Sequence, residues 1–243
     1  MGNVFRYELR RMVCSKIFVG ILAIILWFAW QTLNSQTIQG VAHTAPFSPW
    51  TFGSYINALL PLLSLSLVFF LWEVSSGRAR RVELLADATQ TERRKLLLIR
   101  GCAVAAAWLL LALAAVLLGL GFLLTLFSSA VPLGEVLAAA ALALLPVLLF
   151  LLGLGLLAGR VRPGLVFFLV PVTALLLLLP FPMSVQLFVG DLFSVWPLSL
   201  PLDPPLSVPP SLLAGRLLYS LAGLAAVGAA GMRVSKANLG RRR

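Results

Sequence analysis

Charge is what this sequence has least of. Of its 243 residues only 11% are Asp, Glu, Lys or Arg, and 60% are hydrophobic. A soluble domain carries about 25% charged residues because its exterior faces water. With less than half that share, the chain cannot clothe a globule in polar side chains, and a water-soluble domain is excluded. Much of its outside must face lipid.

Cysteine is nearly as scarce. Cys14 and Cys102 are the only two, too few and too far apart for a disulfide framework or a thiolate metal cluster. They read as two reduced thiols on the cytoplasmic side. One histidine, His43, completes the short supply of metal-ligating side chains.

Catalytic signatures are missing as well. There is no G-x-x-x-x-G-K-[ST], so the chain does not itself bind ATP through a P-loop, and neither H-E-x-x-H nor G-x-S-x-G occurs. The apolar runs contain no carboxylate pair, which proton- or sodium-coupled carriers usually need. The expectation is a chain that is not an enzyme.

What is present is a series of long apolar stretches. A spanning helix takes roughly 20 apolar residues. Residues 17–33, 52–72, 101–127, 136–159, 165–181 and 212–232 meet or approach that length. The first follows a basic start without a small-x-small cleavage site behind it, so it reads as a retained span and not as a signal peptide.

The net charge of +11 fits this arrangement and not nucleic acid. A nucleic-acid module presents a basic face on a soluble fold. Here all 19 Lys and Arg except Arg216 fall in four tracts: residues 6–16, 78–100, 160–162 and 233–243. Those tracts share one side of a six-span chain, and the three opposite loops hold no basic residue. Basic loops stay in the cytoplasm. Six spans with both termini cytoplasmic are therefore predicted, an all-α integral membrane protein forming a single transmembrane domain.

Four segments carry more than topology. At the N-terminus, Phe5, Leu9, Met12 and Val13 recur at helical spacing with Arg6 and Arg10 on another face. Residues 1–16 thus predict a basic amphipathic helix at the headgroup layer, unless they merely extend the first span.

The second segment is the loop 75–100. Residues 80–86, with Arg81, Glu83 and Leu84, read as a short helix with Val82 and Leu85 on one face, and Asp87 follows it. Thr89-x-x-Glu92 is a capping-box pattern that opens a second helix containing Arg93 and Arg94. Acids set among bases, with an apolar pair, suit a docking surface better than a solvated connector.

The third is the last outer connection, 180–211, which is apolar and punctuated by eight prolines. It predicts a re-entrant or interfacial element, with a short helix within 185–196 and Asp191 exposed.

The fourth is a set of residues inside the spans. Pro61, Pro146 and Pro171 predict kinks. Ala222, Ala226 and Ala230, with Ala115 and Gly119, predict close helix contacts. Trp27 and Trp30 fit an aromatic belt, with a ligand-facing role as the alternative. Arg216 is expected to reach the outer headgroups or to pair with Asp203 or Asp191. Trp27, Trp30, Pro61 and Arg216 are the candidate pathway residues.

This order of parts resembles the permease subunits of ABC-2 type transporters, the type V exporter fold. FRYELRRMVCSK at the start is similar to that family's elbow helix. RVELLADATQTERRKLLLIR, residues 81–100, is similar to its cytoplasmic coupling loop, except that Ala88-Thr89 stands where many relatives have proline. Residues 180–211 fit the family's re-entrant position. The resemblance implies a prokaryotic plasma membrane location and a separate ABC ATPase subunit in two copies, which carries the ATP and Mg. It also implies a second permease chain, identical or paralogous, and a hydrophobic or amphipathic substrate such as a lipid, peptide or drug. A non-transporting membrane scaffold or sensor subunit is the competing expectation.

Overall fold

The computed structural model describes residues 2–76, 93–127, 131–179, 181–201 and 204–241, apart from the side chains at 93, 94, 184 and 233–241. Helices dominate, and no strand occurs among the described residues. The helices are α1 (Gly2–Val13), α2 (Lys16–Ser35), α3 (Pro49–Ser75), α4 (Arg93–Phe127), α5 (Leu133–Val161), α6 (Leu169–Leu178), α7 (Gly190–Ser194) and α8 (Pro210–Arg241).

Five of them are long and apolar enough to cross a membrane. Their apolar stretches are Lys16–Gln39, Pro49–Ser75, Lys95–Phe127, Leu133–Val161 and Pro210–Met232. The chain is a multi-pass helical membrane protein. The remaining expected span, the fifth in chain order, is shorter than 165–181. It is a 3-10 segment, Pro163–Phe168, running into α6. Proline sets both of its limits, because the residue before a proline is driven out of the α region. Arg162, before Pro163, is extended at φ −149°, ψ 136°, and Leu179, before Pro180, is extended at φ −77°, ψ 135°. A 3-10 helix rises about 2.0 Å per residue and an α-helix about 1.5 Å, so the pair reaches about 27 Å, near the thickness of a bilayer core.

Local chemistry explains the other boundaries. Ser15 caps α2 by accepting the Phe18 amide at 3.1 Å, and Ser48 caps α3 by accepting the Thr51 amide at 3.2 Å, with Pro49 at the first helical position. Pro171 falls in the first turn of α6, where its missing amide costs no helix bond. Pro61 and Pro146 do lie inside α3 and α5.

α3 is the centre of the bundle. Trp50, Phe52, Ile56, Leu59, Leu60, Leu63 and Leu67 along it are fully buried. Its Tyr55 hydroxyl donates to the Ala115 carbonyl of α4 at 2.9 Å, and Trp108 of α4 donates from Nε1 to the Leu63 carbonyl at 2.8 Å. Ala115 and Gly119 therefore face α3 of the same chain.

The tightest crossing is between α5 and α8. A Cβ at Gly153 would strike the backbone of Gly223, and one at Gly223 would strike that of Leu149. Only glycine permits that approach, which brings van der Waals surfaces together where no hydrophobic effect operates. The packing face of α8 is Gly223, Ala226 and Ala230, with Ala222 turned outward. A stripe with spacings of three and four follows the 3.6-residue turn better than an unbroken repeat of four.

Candidate functional site

Polar groups collect at the two ends of this bundle. At one end, which holds the start of α2 and α4 and the end of α3, the N-terminal helix is fastened by ion pairs. Glu8 of α1 takes the Arg100 Nε of α4 at 3.2 Å, with both residues buried. Arg11 of α1 lies 3.5 Å from Glu8 and 3.5 Å from Glu73 near the end of α3. Met12 is buried beside Glu8, and Phe5, Leu9 and Val13 rest against the core. α1 is thus held by charge as well as by its apolar face.

The sequence places Arg100 at the end of the cytoplasmic docking loop 75–100, just before the third span, and gives Glu8 no role. α4 instead begins by Arg93, one turn or more earlier, so Arg100 lies within the helix and 5% exposed. One signal was available. Glu8 shares the Phe5–Met12 stripe at helical spacing, an acid where the pattern asks for an apolar side chain.

The coupling-loop residues Arg81, Glu83, Leu84, Asp87, Thr89 and Glu92 lie outside the described residues. Arg93 and Arg94 open the backbone of α4. The two stems of that loop are nevertheless defined: Glu73 on one and Arg100 on the other, both paired to α1.

At the opposite end, residues 181–201 and 204–209 fold over the starts of α3, α5 and α8. Leu187, Val189, Leu192 and Phe193 are fully buried, so this connection belongs to the body of the protein. Its only α-helix among the described residues is Gly190–Ser194, shorter than the expected 185–196. Side chains from the spanning helices bind its backbone. Trp50 donates from Nε1 to the Pro204 carbonyl at 2.8 Å, and Glu135 accepts the Leu206 amide at 3.1 Å.

Arg216 of α8 has a similar task. It donates to the Leu187 carbonyl at 2.5 Å and to the Gln186 carbonyl at 2.8 Å, and Tyr219 donates to Val185. The expected pairing with Asp191 is not what forms. Asp191 is half-buried and accepts from the Gln186 side chain, while Asp203 lies outside the described residues. Two consecutive carbonyls just beyond the 3-10 turn Met183–Val185 offer the guanidinium two acceptors, and a charge buried this deep needs such partners.

The four candidate pathway residues are not brought together. Trp27 and Trp30 are 70% and 49% exposed on the outer face of α2, Trp30 standing edge-on to Phe122 at 6.2 Å. Pro61 is half-buried in α3, and Arg216 is buried at the far end. An apolar groove of about 260 Å³ runs between α2 and α3, lined by Ile21, Ile24, Leu62, Leu65 and Phe69 among others, and it opens on the outside of the bundle. Cys14 and Cys102 are free and exposed. Among the described residues no group of three or more His, Cys, Asp or Glu is placed to hold a metal.

Compared with known proteins, the chain matches no family model, no curated protein and no solved structure. Fold and site therefore stand on the residues themselves.

Proposed function

We propose that this chain is the membrane-spanning permease subunit of an ATP-driven exporter of the ABC-2 type, working with a separate ATPase pair and a second permease chain. In this reading it has six spans, the segment 163–178 being the fifth, and both termini lie in the cytoplasm of a prokaryotic cell. Its cargo is hydrophobic or amphipathic.

One observation carries the reading. The Glu8–Arg100 and Arg11–Glu73 pairs lock the N-terminal helix to both stems of the 77–92 loop. A solvated connector needs no such brace. A loop that receives force from a motor does, since the push must move α3 and α4 and not merely bend their ends. Closure of the ATPase pair on ATP would press on the 83–94 elbow and tilt α1, α3 and α4 as a unit. The outward position of Trp27, Trp30 and the α2–α3 groove also suits a pathway formed between two chains, since none of them faces the interior of one.

The test is reconstitution with the P-loop ATPase encoded by a neighbouring reading frame. The two proteins should co-purify, and the complex should hydrolyse ATP faster than the ATPase alone. Glu83→Gln, Asp87→Asn and Arg93→Ala should each remove that stimulation. A chain that never retains an ATPase, or variants with normal stimulation, would favour a scaffold or sensor role instead.

A further inference from the structure

The groove between α2 and α3 has a direction as well as a volume. Ile17 and Ile24 mark its ends on α2, and Phe69 and Leu62 mark them on α3. Each pair stands seven positions apart, so the groove runs for about 10 Å at about 1.5 Å per residue. It starts at the α1 end of the bundle, in the first turn of α2, and stops near the middle of both helices. One leaflet of a bilayer contributes about 15 Å of hydrocarbon, so the groove follows a single leaflet and does not cross to the other.

Its walls accept hydrocarbon and little else. The one polar side chain among them, Ser66, donates its hydroxyl to the Leu63 carbonyl at 2.7 Å, within its own helix. A polar guest would lose its hydration there without compensation. An acyl chain loses nothing, and a concave wall gives it contacts on more sides than a flat helix face does.

The α1 end of the groove carries charge of one sign. Four ionised groups at that end of the bundle balance one another, Glu8 and Glu73 against Arg11 and Arg100. Glu73, one turn beyond Phe69 on α3, is thereby taken up by Arg11 at 3.5 Å. Lys16 is left over. It directly precedes Ile17, is exposed, and meets no carboxylate among the described residues. A lysine stem lies along apolar surface and lifts its ammonium to the head-group layer, where a lipid phosphate is its partner. A zwitterionic lipid brings its own cation and gains little from such a contact, whereas an anionic lipid gains a net attraction.

We propose that the groove holds one acyl chain of an anionic phospholipid, in the leaflet at the α1 end, with the lipid phosphate at Lys16. A second copy of this chain fits less well. A two-fold contact centred on the groove would bring both Lys16 residues to the same depth on one interface, like charges facing each other. The assignment holds whether or not the chain works with an ATPase.

The experiment uses the full chain purified in detergent and a phosphatidylglycerol whose acyl chain carries a diazirine. After irradiation the label should map to residues 17–24 and 62–69. Unlabelled phosphatidylglycerol should compete about fivefold better than phosphatidylcholine, the scale of one lysine facing an anionic lipid. Lys16→Gln removes the charge and should erase that preference. Arg10→Gln, on the exposed side of α1, should leave it intact, which separates the groove from general attraction to a basic helix. Label spread evenly over the exposed faces of α2, α4 and α8, equal competition by the two lipids, or a preference that survives Lys16→Gln would overturn the proposal. So would a chain that sediments as a dimer with its groove unlabelled, which gives the groove to a second copy.

Discussion

The two ends of the bundle solve one problem by different means. Each must fasten a peripheral segment to the spanning helices. At the α1 end the fastening is side chain to side chain: Glu8 to Arg100, and Arg11 to Glu8 and Glu73. At the other end it is side chain to backbone, where Trp50, Glu135, Arg216 and Tyr219 hold main-chain groups of Pro204, Leu206, Gln186, Leu187 and Val185. A regular helix has no free backbone groups along its flank, so α1 can be gripped only through its side chains. The 181–209 segment is mostly irregular, and its exposed carbonyls and amides require partners in an apolar setting. The difference has a mechanical consequence. Ion pairs brace α1 to α3 and α4, whereas the segment pinned by its backbone moves with α3, α5 and α8, whose side chains hold it.

The sharpest way to break this contrast is to remove one member of the buried pair. Arg100→Ala should cost up to about 3–5 kcal/mol, because buried Glu8 loses its closest partner and keeps only the more exposed Arg11 at 3.5 Å. The double variant Glu8→Leu/Arg100→Met should recover most of that loss, measured as unfolding in a denaturing detergent titration. Recovery would show that charge here specifies where α1 sits more than it adds stability.

Arg216→Leu comes next. It leaves the carbonyls of Gln186 and Leu187 without their donor, and a buried group so orphaned costs about 1–3 kcal/mol. Hydrogen exchange should rise across 183–195 and stay unchanged in α1. If both ends loosen together, the ends are one cooperative unit and the comparison fails.

Trp50→Phe keeps the aromatic contact with Phe193, 6.4 Å between ring centroids, and deletes only the bond to Pro204. A loss of about 1 kcal/mol is expected, read as a lower thermal midpoint. Arg11→Ala should have the smallest effect. Its side chain is 38% exposed with both carboxylates at 3.5 Å, so a change of about 0–1 kcal/mol is expected, fading in high salt.

Much of the architecture could be read in advance. The apolar stretches 17–33, 52–72, 101–127 and 136–159 fall inside α2, α3, α4 and α5, and 212–232 falls inside α8. Hydropathy over twenty residues leaves few alternatives when charge is so scarce. The folded character of 180–211 was also readable, since eight prolines in an apolar stretch can form neither a long helix nor a solvated loop. The polar sites were not. Glu8 and Arg100 stand 92 residues apart, and Arg216 stands 29 and 30 from its carbonyls. Nothing local links them, and for Arg216 the nearby carboxylates Asp191 and Asp203 were the more obvious partners. The Ala222 stripe missed by one residue for a similar reason: a run of small residues leaves the rotational setting open, and only the approach of Gly153 fixes Gly223 as the contact.

By itself, then, the sequence determined the solvent, the number of apolar runs and where proline ends them, because these follow from transfer free energy and from backbone sterics acting over a few turns. Tertiary structure alone decided which charges meet, which carbonyls Arg216 holds and that the Asn57 Oδ1 atom finds no partner among the described residues. Those outcomes depend on helix rotation and on which irregular backbone lies nearest, and both are set only when all the helices pack together.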